Sequence, residues 1–168
     1  MTPAPDLRGP RVLLTSVRPA HRERLREIHR LPGVARWWKE PGDDWPVPEP
    51  DTVAYAVLED DRVVGFAQWY QESDPDFRHA GLDLFLDPSV HGRGLGTEVV
   101  RVMCAHLVDE RGFHRIVIDP EAANAAAIAC YRKVGFRDVG IMREYSRGAD
   151  GAWRDGLLMD LLARELVR

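Results

Sequence analysis

The chain has only two cysteines in 168 residues, Cys104 and Cys130. That is too few for a disulfide framework, and their spacing is not that of zinc ligands. Long apolar runs are also missing, since none approaches the ~20 residues that span a bilayer. The opening Met1-Thr2-Pro3-Ala4-Pro5 lacks the apolar stretch of a signal peptide. Repeats and low-complexity tracts are absent. So is a basic excess: the formal net charge is -4, which removes the footprint of a dominant nucleic-acid binder. What remains, 45% apolar and 30% charged residues, suits one packed domain over residues 1–168. The expectation is a soluble cytoplasmic domain, monomer or homodimer, with no metal and no nucleic-acid or membrane partner.

The small net charge hides an asymmetry. Between Trp37 and Asp87 thirteen acidic residues face three basic ones, a local charge of -10, and the rest of the chain carries +6. Most single carboxylates in such a stretch only solvate loops. An acidic half beside a basic half, however, suits an enzyme that joins a cationic substrate to an anionic cofactor.

Periodicity outlines the elements. Val12–Val17 reads as a strand, followed by an amphipathic helix from Pro19 to His29 that Leu31-Pro32-Gly33 interrupts. A second short helical piece covers Val34–Trp38, and Pro41–Pro50 is too irregular for a core element. Thr52–Leu58 and Arg62–Tyr70 form a hairpin about Glu59-Asp60-Asp61, and Gln71–His79 is a polar loop before a strand at Ala80–Leu86. Gly94–Arg111 has helical spacing and Gly112 as a stop; His114–Ile118 is a short strand; Ala122–Val134 is a helix ended by Gly135. Arg137–Tyr145 and Trp153–Leu162 close the chain as strands. The pattern is α/β (α+β): one mixed sheet of about six to seven strands flanked by helices.

Two constellations carry chemistry. The first is strand, Gly-rich turn and helix: Leu82–Leu86, Asp87-Pro88-Ser89-Val90, then His91-Gly92-Arg93-Gly94-Leu95-Gly96-Thr97. Glycines let the backbone approach a ligand, and the first amides of the helix are unpaired at its positive dipole end. Together they make a phosphate cradle, to which Arg93 adds a full charge. The spacing is not that of a Rossmann or Walker loop. The second runs from Asn124 to Tyr131 and on to Gly135-Phe136.

With both in place, the chain resembles the GNAT superfamily of acyl-CoA-dependent N-acyltransferases. The family pattern is Gln/Arg-x-x-Gly-x-Gly/Ala, then Asn-x-x-Ala-x-x-x-Tyr and a Gly-Phe, and it departs here only in His91, where Gln or Arg is usual. The resemblance implies acetyl-CoA as cofactor and coenzyme A as product. The pyrophosphate would meet Arg93, Gly94, Leu95, Gly96 and Thr97 beside His91, and the pantetheine arm would pair with backbone at Phe85, Leu86 and Asp87. Asn124 would offer its amide to that arm. Tyr131 would protonate the departing thiolate, since a phenol near pKa ~10 keeps its proton at neutral pH. Cys130, with no histidine in its motif, is not a nucleophile.

A narrower resemblance concerns the acceptor. Arg36-Trp37-Trp38, Gly65–Tyr70, Gly81-Leu82-Asp83 and Asp119-Pro120 are similar to aminoglycoside 6'-N-acetyltransferases. That similarity implies an antibiotic pocket built from Trp38, Gln68, Tyr70, Asp83 and Asp119, with Asp83 taking the proton of the attacking amine and Asp119 holding another ammonium. It departs at Gln71–His79, which lacks the family's aromatic pair, and at the tail Tyr145–Trp153. Other acceptors stay open: a protein N-terminus, a polyamine or a siderophore lysine, as does a non-catalytic acyl-CoA-binding module.

Overall fold

The computed structural model describes residues 3–168. Met1 and Thr2, the start of the opening stretch read above, lie outside them. A single eight-stranded sheet carries the fold. Its strands are β1 (Leu7–Arg8), β2 (Leu13–Ser16), β3 (Thr52–Glu59), β4 (Arg62–Glu72), β5 (His79–Leu86), β6 (Arg115–Ile118), β7 (Arg137–Arg147) and β8 (Trp153–Leu162). The helices are α1 (Pro19–Arg30), α2 (Pro32–Ala35), α3 (Leu95–Asp109) and α4 (Ala125–Val134). The sheet has one strand more than the upper expectation. The extra one, β1, is two residues long and too short to show a period.

Spatial order is β1-β2-β3-β4-β5-β6-β8-β7. Neighbours from β1 to β5 pair antiparallel, β5 and β6 pair parallel, and the β6–β8 and β8–β7 pairs are antiparallel again. Both faces of the central strands are buried, as strand alternation requires. Tyr55 and Val57 of β3 face a core with Leu82, Met103 and Ile128 under α3 and α4. Ala54, Ala56, Phe66 and Phe85 face a second core with Leu25, Ile28 and Val34 under α1 and α2. Trp45 packs on that second core, its ring centroid 5.1 Å from that of Phe66, so the irregular 41–50 loop does supply a core side chain. The second helical piece ends at Ala35, and Trp37 and Trp38 stand beyond it with their amides donating to the Val34 carbonyl.

The β5–β6 pair is the unusual one. It holds only at Ala80–Ile116 and Gly81–Val117, whereas β5 keeps eight partners on β4. After Ile118 the chain stays with β8: the Leu157 amide donates to the Pro120 carbonyl (2.9 Å) and the Ala122 amide to the Asp155 carbonyl (2.8 Å). The segment is thereby drawn away from β5. The C-terminal half of β5 is left with one open backbone edge, and a slot runs through the sheet.

The turn that opens α3 is tied from behind. Glu98, in the first turn of α3 and buried, accepts from the Arg11 amide (2.6 Å), the Val12 amide (3.1 Å) and Arg11 Nε (2.9 Å). Among the described residues no helix is long and apolar enough to cross a membrane.

Glu98→Ala strands two backbone donors, one of them buried, and should cost about 1–3 kcal/mol in denaturant unfolding. Glu98→Gln keeps one acceptor oxygen and should lose less. Equal stability of Glu98→Ala and the parent would refute the tie.

Candidate active site

The slot opens into two joined clefts of about 650 Å³ and about 320 Å³. They share Trp37, Trp38, Leu84, Asn124 and Tyr131 as lining. The larger runs over the start of α3 and along α4. The smaller lies between β5 and the segment after β6.

Local sequence explains the larger cleft. Gly94 caps α3 with φ 79°, in the left-handed region where a side chain is strained, and this turns the first α3 amides toward the cleft wall. Gly94, Leu95, Gly96 and Thr97 line it, with Phe85 and Leu86 of β5 opposite. His91 lines it as well and braces it: Nε2 donates to the Leu86 carbonyl at 3.1 Å. Asn124 caps α4 by accepting from the Ala127 amide at 3.2 Å through Oδ1, which leaves its Nδ2 donors for the clefts. Unpaired helix amides and a free strand edge make this cleft suited to an extended ligand with an anionic end.

Two expected contributors have groups engaged with the scaffold. The Arg93 guanidinium grips Glu59 with Nη2–Oε1 at 2.6 Å and Nη1–Oε2 at 3.0 Å, and Arg93 is not in the lining. Its charge is spent on fastening the turn to the β3–β4 hairpin. Asp87 is likewise internal. Its amide donates to the Val64 carbonyl, its own carbonyl accepts from Val90, and its carboxylate holds Ser89 N (2.9 Å) and Arg24 Nη2 (2.6 Å). The Asp87 amide and carbonyl thus each already have a partner within the fold. Tight binding to Ser89 and Arg24 outweighs burial and keeps the Asp87 carboxyl below the usual range.

The smaller cleft gathers Asp83, Asp119, Trp38 and Tyr131, four residues spread over 94 positions of sequence. Asp83 sits on the sheet face of α1 and Tyr131 on that of α4; the slot lets both reach one space. Burial pushes the Asp83 carboxyl above the ordinary carboxylate range; the Gln68 hydrogen bond opposes this and the Asp119 charge adds to it. Burial pushes the Tyr131 phenol far up as well, with Cys130 and the two aspartates adding to it, so it stays a proton donor. Its hydroxyl has no hydrogen-bond partner among the described residues.

Gln68 and Tyr70 stand one layer behind the lining where sequence resemblance expects them in it. Gln68 Nε2 donates to Asp83 Oδ2 at 3.0 Å across the β4–β5 register. Tyr70 lies over Gly81 so closely that a Cβ there would sit 2.1 Å from the ring. Sequence reading did not find Tyr145, whose hydroxyl donates to Asp119 Oδ2 at 2.7 Å; that bond pushes its own pKa up to about 12. Lys39 and Glu121 also line the smaller cleft unforeseen. No local pattern marks any of these three. Cys130 lines the larger cleft, 3.4 Å from Thr97 Oγ1, and burial raises its thiol pKa, which leaves it unreactive. No group of three metal-ligating side chains occurs among the described residues.

Residues 16–136 match the Acetyltransferase (GNAT) family. An aminoglycoside N(6')-acetyltransferase type 1 from Klebsiella pneumoniae is 34% identical over 98 residues, covering 51% of this chain and 48% of that protein. A [ribosomal protein bS18]-alanine N-acetyltransferase from Salmonella typhimurium is 35% identical over 105 residues, 61% of this chain and 66% of that protein. The chain thus spans about half the length of the first relative and about two thirds of the second. The structure of Mycobacterium smegmatis RimJ in complex with CoA-disulfide superposes with a TM-score of 0.80 at 25% identity, covering 98% of this chain and 88% of that one.

The raised Asp83 pKa has a stability consequence. The folded state disfavours its ionised form, so the penalty is absent in acid below about pH 4 and complete once pH exceeds the raised value. Asp83→Asn removes the charge and keeps the size. Its melting temperature should exceed the parent's at neutral pH, and the gain should vanish in acid. A destabilised Asp83→Asn protein at neutral pH would contradict the assignment.

Proposed function

The chain belongs to the Acetyltransferase (GNAT) family, and on that premise we propose that it transfers an acetyl group from acetyl-CoA to the 6'-amine of an aminoglycoside, releasing coenzyme A. The observation that carries this reading is the convergence of Asp83 and Asp119 with Trp38 and Tyr131 in one cleft. Two carboxylates suit an acceptor that carries several ammonium groups, and an indole face suits a sugar ring. The relative from Klebsiella pneumoniae supports the same acceptor.

The residues fit the cofactor. The α3 amides at Gly94–Thr97 suit a pyrophosphate, and the open edge of β5 at Leu84–Leu86 suits an extended amide-bearing arm that Asn124 Nδ2 would also bond. Acetyl-CoA supplies the activated thioester. Asp83, held by Gln68, orients the acceptor amine and takes its proton. Asp119, held by Tyr145, binds a second ammonium. Tyr131 gives a proton toward the departing sulfur.

A second acceptor, the N-terminal amine of a protein, is favoured by the relative from Salmonella typhimurium. An α-amine engages Asp83 and leaves Asp119 without a cationic partner, which is why it ranks second.

Thiol release from acetyl-CoA should be measured over a panel: an aminoglycoside with a 6'-amine, its 6'-hydroxyl counterpart, an alanine-terminated peptide and a linear polyamine. Turnover confined to the 6'-amine is the expected result; turnover confined to the peptide would replace the acceptor.

On the preferred acceptor, Tyr131→Phe and Asp83→Asn should each lose roughly 10²–10⁴-fold in turnover with acetyl-CoA affinity preserved. The parent rate should climb with pH as Asp83 ionises, a climb that Asp83→Asn should alter. Parent-like rates in either variant would remove that residue from the chemistry.

A further inference from the structure

The 23 basic residues of this chain include only two lysines, Lys39 and Lys133; the other twenty-one are arginines. Arginine holds its proton at any working pH and cannot act as an amine nucleophile. An acetyl-transferring protein with this composition has almost no ε-amine on its own surface to modify. Yet Lys39 lines the smaller cleft, the same space as Asp83, Asp119 and Tyr131. It is the only cation in that lining. The third carboxylate there, Glu121, is taken by Arg154 at 3.3 Å, whereas Lys39 forms no ion pair among the described residues.

The segment that carries Lys39 is fastened on both sides. On one side Trp38 is wedged edge-on against Phe85, centroids 5.0 Å apart. On the other, Arg26 Nη2 donates to the carbonyls of Gly42 (3.0 Å) and Asp43 (2.6 Å). Lys39 therefore stands exposed on a held lip and lines the same cleft as two carboxylates, which attract an ammonium.

We propose that Lys39 is a built-in acceptor: its side chain occupies the place of a substrate amine and is itself acetylated in the same molecule. The proposal rests on the acetyl-CoA reading above, though not on the aminoglycoside. In the step, Nζ as free amine attacks the thioester carbonyl of an acyl-CoA. The N–C bond forms and the C–S bond breaks. The nitrogen's surplus proton leaves to Asp83 or water, and the sulfur gains one from Tyr131, which solvent restores. Amine and thioester become amide and thiol. The cleft loses its one cation, which raises its attraction for a polycationic acceptor.

The test is to incubate the full chain with acetyl-CoA alone and follow the acetyl mass on the Lys39 and Lys133 peptides. Lys39 should label with first-order kinetics independent of protein concentration, roughly 10²-fold or more faster than Lys133. Tyr131→Phe and a saturating acceptor amine should each suppress the labelling, and Lys39→Arg should abolish it. Equal labelling of both lysines that survives Tyr131→Phe is plain chemical acetylation and overturns the proposal. So does a rate that rises with protein concentration, or an unlabelled Lys39 in a sample that releases thiol with an added amine. Labelling of Lys39 without turnover of any aminoglycoside would uphold the proposal and discard the acceptor assigned above. Neither label nor thiol release with any amine would discard both.

Discussion

Parallel pairing between β5 and β6 lasts for two residue pairs and then stops. Everything of chemical interest in the molecule hangs on that interruption. β5 is bound along its length to β4, and the chain after β6 is bound to β8 through Pro120, Glu121 and Ala122. Each half is satisfied by its outer neighbour, so the two can part at little cost. The parting exposes backbone groups that a ligand can pair with and opens a route between the two faces of the sheet. Without it, Asp83 on one face and Tyr131 on the other would be separated by a wall of hydrogen-bonded backbone.

Charge is organised around the same opening. Charges that could have been offered to a ligand are withdrawn into the scaffold: Arg93 to Glu59, Asp87 to Arg24, Glu98 to Arg11. These pairs hold the Gly-rich turn against the hairpin, α1 and the β1–β2 turn. The amides at the start of α3 then face the larger cleft already oriented, a form of preorganisation that a flexible arginine side chain could not supply. In the smaller cleft the logic reverses. Asp83 and Asp119 are kept near one another, each held by a neutral donor, Gln68 or Tyr145. Neutral partners orient the carboxylates without cancelling their charge, so the cleft keeps its demand for a cation.

Much of the architecture was legible along the chain. The alternation in β3, β4 and β5, the helical spacing of α3 and α4, and the stops at Gly112 and Gly135 all appear as local patterns of period 2 or 3.6. The Gly-rich turn and the Asn124–Tyr131 segment were legible as chemistry because each sits within one strand–turn–helix or one helix. What local pattern did not reveal were groups with a distant partner. The Arg93 guanidinium looked free to add its charge to the cradle, but Glu59, 34 residues earlier, holds it. Asp87 looked like free backbone, but Val64 holds its amide and Arg24 its carboxylate. Tyr145 and Lys39 escaped notice for the converse reason: nothing in their neighbourhoods marks them, and only folding sets them beside Asp119 and Asp83.

The sequence by itself determined which segments become strands and helices, where a left-handed glycine opens α3, and which family the chain belongs to. Those properties depend on backbone conformation and on contacts within a few residues, and a local pattern can encode them. Tertiary structure decided where the sheet parts, which charges are spent on the scaffold and which remain for a ligand. It also decided that two lysines among twenty-three cations should stand at the clefts. These outcomes depend on distance and solvent exposure across many tens of residues. Coulombic attraction and desolvation act on separation in space, and separation along the chain does not report it.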